Sequence, residues 1–160
     1  MRDGRVTVRR AVSADIATLR RFEQGIIAAE RPFDPTIRKG AVQYYDIEAL
    51  IASGDACVAI AEIDGAAVGC GLARKKASPI YVDPPFHAYV GLIFVDPAHR
   101  GKGVSKTIIS MLTDWARDAG LLEIRLEVYP KNAAAVRAYE KAGFAPYMLE
   151  MRRSLDDADS

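Results

Sequence analysis

Hydrophobic and polar positions change their period several times along the chain, and each change marks an element. Val6 and Val8 alternate with Thr7 and Arg9, the two-residue period of a strand over Val6–Arg9 with one face buried. Ser13 then opens a helix as its N-cap, with Asp15 in the first turn and Ile16, Leu19, Phe22 and Ile26 at helical spacing. Glu30-Arg31-Pro32-Phe33-Asp34-Pro35 ends that helix, because neither proline can continue it. Ile47, Leu50 and Ile51 predict a second, shorter helix from Tyr45 to Ser53. Cys57–Ile63 and Ala66–Lys75 read as strands joined at Asp64-Gly65, a favoured hairpin pair. The proline-rich stretch from Ser78 to His87 predicts a loop without regular structure.

The longest coherent pattern runs from Val90 to Gly120. Val90–Val95 is wholly apolar apart from Gly91 and reads as a buried strand, stopped by Asp96-Pro97. Arg100-Gly101-Lys102-Gly103 follows as a tight turn. Val104, Ile108, Met111, Leu112, Trp115 and Ala119 then recur along one side of a helix that Gly120 closes. Strand, glycine turn and helix mouth together suit an anion: first-turn amides are free, the dipole is positive, and Arg100 and Lys102 add charge. Leu122–Val128 alternates as another strand, and a strand-helix-strand of this length implies a parallel pair. Asn132 caps a last helix, Ala133–Ala142, ended by Gly143; Ala145–Arg152 reads as a final strand before a frayed tail from about residue 154. The order is β-α-α-β-β-β-α-β-α-β, an α/β fold with a mixed sheet, and residues 1–160 read as one domain.

Composition narrows this picture only by exclusion. The chain has 160 residues, 50% of them hydrophobic, and a net charge of +1, so anion recognition must be local rather than a property of the whole surface. Neither nucleic acid nor membrane is an expected partner, and a monomer or homodimer is expected. No apolar run approaches the roughly 20 residues of a membrane span, and no apolar segment follows the basic N-terminus, so a cytoplasmic location is expected. Cys57 and Cys70 do not make a disulfide framework, and with His87 they offer no metal-ligand spacing; no metal is expected.

The glycine turn fits neither common nucleotide loop. In a Walker A register, Arg100 and Ser105 stand where glycines are required; in a dinucleotide register, Lys106 takes the third glycine's place. Instead, Val95-Asp96-Pro97-Ala98-His99-Arg100-Gly101-Lys102-Gly103-Val104 resembles the acetyl-coenzyme A motif of the GNAT acetyltransferases, Arg/Gln-x-x-Gly-x-Gly/Ala. Arg100 and Gly103 match, and Ser105 replaces the final small residue. Asn132 through Phe144 is similar to a second motif of that family, Asn-x-x-Ala-x-x-x-Tyr-x-x-x-Gly-Phe, in the right order.

The resemblance implies a GNAT acyltransferase fold and acetyl-CoA as cosubstrate. It implies that Arg100, Gly101, Lys102, Gly103, Val104 and Ser105 hold the pyrophosphate, and that backbone groups of Ile93, Phe94 and Val95 pair with the pantetheine arm. It further implies direct attack of an amine in a ternary complex, with Tyr139 as general acid to the leaving thiolate and Asn132 touching the pantetheine besides capping its helix. Glu127, Glu30, Asp34 and His87 are the candidates for a base; a weakly basic amine needs none. A covalent route through Cys57 or Cys70 has no base placed for it. The acceptor surface is expected on Glu30–Tyr45 and Ser78–Tyr89, with Glu30, Phe33, Asp34, Tyr45 and His87 facing the substrate. A small amine is the favoured acceptor; a protein N-terminus or lysine is the alternative, and a CoA-binding regulatory module without catalysis is the reading from another class.

Overall fold

The computed structural model describes residues 4–156. Its elements are β1 (Val6–Arg10), α1 (Ile16–Glu30), α2 (Ile47–Ala52), β2 (Ala56–Ile63), β3 (Ala66–Ala77), β4 (Phe86–Val95), α3 (Val104–Asp118), β5 (Ile124–Arg125) and α4 (Ala133–Lys141). One sheet joins the strands in the order β1-β2-β3-β4-β5, antiparallel up to β4 and parallel between β4 and β5. The α/β class and the parallel β4-α3-β5 crossover are those the hydrophobic pattern predicts.

Alternation along β2 builds two cores, one on each sheet face. Cys57, Ala59 and Ala61 pack with Val104, Ile108 and Leu112 of α3. Val58 and Ile60 pack with Leu19 and Phe22 of α1 and Ile47 of α2. Close approach of α3 depends on Gly71, where a Cβ would come within 2.6 Å of Ile108 and 2.8 Å of Ile93. Among the described residues no helix is long and apolar enough to cross a membrane.

Four boundaries differ from the sequence reading. Ser13–Asp15 is a 3-10 turn, and the carboxylate of Asp15, not Ser13, accepts the Val12 N–H at 2.8 Å. β4 starts at Phe86, so His87 and Tyr89 lie in the ladder opposite Lys76 and Arg74 rather than in a loop. The wholly apolar run begins only at Val90, which hid the half-exposed start of the strand.

β5 shrinks from the expected Leu122–Val128 to two residues, paired as Ala88↔Ile124 and Tyr89↔Arg125. The cause is a bulge: Gly91–Phe94 of β4 oppose only Cys70–Leu72 of β3, with Leu92 at φ +53°. The bulge bends β4, and its ladder with β5 goes no further. The expected final strand Ala145–Arg152 is not one. This segment has no ladder among the described residues and is exposed, held by Arg125 over the Tyr147 ring (5.0 Å) and by Arg152 on Asp34 (3.0 Å). Alternating side chains supplied the pattern, but a strand also needs a neighbour. Ser154–Asp156 carries no regular structure, and the rest of the expected tail lies outside the described residues.

Candidate active site

Beyond Tyr89 the edge of β4 that faces β5 has no ladder partner among the described residues. The strand is nevertheless fixed from both sheet faces, with Ile93 and Val95 packed against the α3 core. Phe94 stacks on Phe22 with ring centroids 4.9 Å apart, and Gly25 makes room, since a Cβ there would lie 2.7 Å from the Phe94 ring. The Cys70 thiol donates to the Leu92 carbonyl at 3.2 Å, and the Asp96 N–H donates to the Val68 carbonyl at 2.8 Å. Side chains therefore hold Ile93, Phe94 and Val95 while their backbone edge lacks a ladder partner among the described residues. The Val95 carbonyl takes a long bond from Arg100 Nε at 3.4 Å, and an extended ligand can pair along this edge.

This edge leads into the glycine turn. Asp96 starts a short 3-10 turn over Pro97–His99, its carboxylate accepting from Ala98 N–H at 2.9 Å. Gly101 and Gly103 both stand at φ +78°, a left-handed conformation that costs glycine little. Gly103 is the N-cap of α3 and has no side chain to satisfy the first-turn amides. Val104 is buried and anchors the helix, while Arg100, Lys102 and the half-exposed Ser105 remain at the mouth. Thr107 turns its hydroxyl back to the Gly103 carbonyl (2.9 Å), away from that mouth. Unsatisfied amides, a helix dipole and two flanking cations suit an anion.

Opposite the β4 edge lies a cluster of phenols around one carboxylate. Asn132 caps α4 by accepting from Ala135 N–H at 3.3 Å, and two turns later Tyr139 packs edge-on against Phe144 at 6.0 Å. Burial lifts the Tyr139 phenol, with the Glu30 charge and Tyr89 adding to the rise. Glu30, the last residue of α1, accepts the Tyr44 hydroxyl on Oε2 at 2.8 Å. Burial raises the Glu30 carboxyl above the ordinary carboxylate value, more than the Tyr44 hydrogen bond lowers it. Tyr45 lies directly over Gly91, where any side chain would collide with its hydroxyl.

The segment bearing Tyr44 and Tyr45 is strapped to α1 by residues that the sequence reading missed. Glu23 is fully buried and accepts the backbone N–H groups of Tyr44 (3.2 Å) and Tyr45 (3.1 Å). Arg20 donates to the Tyr45 carbonyl at 2.9 Å and pairs with Glu48 at 2.7 Å. Gln24 reaches the Val42 carbonyl at 2.8 Å, and Arg31 holds the carbonyls of Arg38 (2.7 Å) and Gly40 (3.0 Å). A charged residue beside Phe22 on the inward stripe of α1 was the available signal for Glu23. An open cavity of about 560 Å³ lies beside the strap, lined in part by Arg20, Tyr44, Asp46 and Glu48.

The remaining candidates separate by position. Asp34 is a structural hub: Thr36 N–H (3.0 Å), the Tyr129 hydroxyl (2.8 Å) and Arg152 (3.0 Å) all donate to it. These donors, with Thr36 first, hold its carboxyl far below the usual range, so it is a poor base. Phe33 stacks near Tyr129 with centroids 6.5 Å apart. His87 is buried, bonded through Nδ1 to Ser78 Oγ at 2.9 Å, and stands five residues before the bulge, about 16 Å along the strand. Its place is structural. Glu127 is exposed on the segment after β5, near enough for its charge to act on Tyr89. Both cysteines are buried, and burial raises both thiols, which disfavours a thiolate nucleophile. Among the described residues no group of three or more His, Cys, Asp or Glu is placed to hold a metal.

The acetyltransferase (GNAT) family model matches residues 24–144. A streptothricin acetyltransferase from Streptomyces lavendulae is 43% identical over 53 residues, 33% of this chain and 28% of that protein. The N-alpha-acetyltransferase RimI of Mycobacterium tuberculosis is 38% identical over 69 residues, 43% of this chain and 42% of that protein. The matched stretches thus span less than half the length of these curated relatives. The solved structure of the AAC(6')-Iy protein in complex with the bisubstrate analogue CoA-S-monomethyl-acetylneamine has the same fold. It superposes with a TM-score of 0.71 at 19% identity, covering 94% of this chain and 98% of that one.

Proposed function

The chain belongs to the acetyltransferase (GNAT) family, and on that premise we propose that it moves acetyl from acetyl-CoA to a primary amine by direct attack in a ternary complex. One observation carries the reading: the open backbone edge of β4 runs from the phenol cluster to the uncapped mouth of α3. A thioester arm with a pyrophosphate at one end and a reactive carbonyl at the other has the length and polarity for that path. In this reading the amides of Gly101–Ser105, with Arg100 and Lys102, receive the pyrophosphate. Backbone groups of Ile93, Phe94 and Val95 pair with the pantetheine, and one amide among them polarises the thioester carbonyl. Asn132 contributes to the arm's binding besides capping α4.

Tyr139 acts as the general acid. Its raised phenol stays protonated at neutral pH, and transfer of that proton lets the thiolate leave. The strapped segment fixes the aromatic rings of Tyr44 and Tyr45 beside the β4 edge, which suits a small amine, so a small-molecule acceptor is favoured. Residues 1–160 act as one domain in this reading.

Acetyl-CoA, but not ATP, is expected to raise the melting temperature, because a ligand that binds only the native state stabilises it. A panel of small amines and N-terminal peptides assayed for released thiol then tests transfer. Binding without transfer to any acceptor would favour a CoA-binding regulatory role.

A further inference from the structure

We propose that Glu30 receives the acceptor's ammonium group and takes its proton, so that the acceptor enters as a cation; this rests on the acetyl-transfer reading above. Four carboxylate or imidazole groups stood as candidates, and the structure leaves one in place. Asp34 is saturated by Thr36, Tyr129 and Arg152. His87 is buried against Ser78 at the far end of β4. Glu127 is exposed, and its charge acts on Tyr89. Glu30 is half-buried at the end of α1, and its Oε1 has no hydrogen-bond partner among the described residues, while Tyr44 occupies Oε2.

The surroundings suit a cation. Burial raises the phenols of Tyr44, Tyr89, Tyr129 and Tyr139, and the Glu30 charge adds a further push to each, so all four stay neutral and protonated. Arg74 lies over the Tyr89 ring at 5.3 Å and makes no hydrogen bond to Glu30, and two further guanidinium groups that act on these phenols are committed. Arg31 is bound to the carbonyls of Arg38 and Gly40, and Arg152 to Asp34. A carboxylate among aromatic rings, with no ion pair to a side chain among the described residues, attracts an ammonium ion.

The step balances without another reactant. Glu30 Oε1 takes one proton from the ammonium, the freed lone pair forms the C–N bond, and the C–S bond breaks as Tyr139 protonates the sulfur. Glu30 then returns its proton to solvent. The N-protonated amide left by that collapse loses its second N–H proton to the Tyr139 phenolate, so the net release is one proton per turnover.

The test compares wild type with Glu30→Gln, which keeps the shape and an acceptor for Tyr44. Cadaverine serves as a charged acceptor and methoxyamine as a primary amine uncharged at neutral pH. Acetyl-CoA stabilisation confirms that the variant is folded. The proposal expects transfer to cadaverine to fall by about 100-fold or more, with transfer to methoxyamine changed less than about threefold. An equal loss on both acceptors, or no loss, overturns it. Thermal stabilisation by cadaverine with CoA present is read in parallel and does not depend on turnover. If wild type transfers acetyl to neither amine, stabilisation that disappears in Glu30→Gln retains the cation site and rejects the transfer reading. Stabilisation equal in both proteins, or none in wild type, rejects the site.

Discussion

Tyr139 and Asp34 show how environment divides the work among titratable side chains. Burial lifts the Tyr139 phenol above its ordinary value of 10.0, so it holds a proton at neutral pH and is matched to a thiolate. Tyr139→Phe is expected to leave acetyl-CoA binding intact and to lower kcat by about 100-fold; unchanged turnover would remove the hydroxyl from the chemistry. Asp34 is shifted the opposite way, below its ordinary 3.8, by Thr36, Tyr129 and Arg152. Its ionised form stabilises the fold above that value, and the contribution is lost as pH falls through the depressed folded value. Asp34→Asn should therefore lower the melting temperature at pH 7, with the gap to wild type narrowing as acid denaturation is approached below about pH 4. A gap that stays constant with pH would mean that the carboxylate's charge is not what joins these segments.

At the scale of elements, the glycine turn and α3 were legible because their chemistry is local. Two glycines, a basic pair and an amphipathic helix closed by Gly120 need no partner to be recognised. Gly103→Ala is expected to strain the cap by about 1–2 kcal/mol, because φ +78° disfavours a Cβ, and to weaken acetyl-CoA binding. Isothermal titration would show this as a loss with little change in the amine's KM. The bulge at Leu92, the early start of β4 and the shortened β5 were not legible, since each depends on which neighbour runs out of ladder. The strap was hidden for a related reason: Glu23, Arg20 and Arg31 bind backbone groups 7 to 25 residues away, and backbone groups carry no sequence label. Glu23→Gln should loosen Tyr44 and Tyr45 and raise KM for the amine by roughly tenfold, since hydrogen bonds to a charged group contribute about 1.5–3 kcal/mol. Equal effects on both substrates would show that the strap supports the whole fold and not the acceptor side.

For the molecule as a whole, the pattern of apolar residues foretold the layers better than their edges. Both cores lie between β1–β4 and helices α1, α2 and α3, where periodicity is strong. The candidate site sits where periodicity fails. It lies between the bent β4 and a C-terminal region tied to the rest by side chains: Tyr129 and Arg152 on Asp34, and Arg125 over Tyr147. From sequence, the motif around Tyr139 pointed to the proposed acid, whereas the isolation of Glu30 required knowing that Asp34 was already occupied.

No residue from Leu122 to Asp156 is fully buried, and only two of them share a ladder with β4. This stretch, between a fifth and a quarter of the chain, is a flap resting on the domain, with little buried apolar surface to hold it down. Its opening should lie near the low end of the molecule's unfolding free energies, well below global unfolding. Amide hydrogens of 126–152 are then expected to exchange faster than those of β2 and β3. A ligand threaded along β4 would suture the flap to the body, slowing exchange in both 126–152 and the free edge of β4. Slowing confined to the glycine turn would mean that the phosphate end alone is gripped.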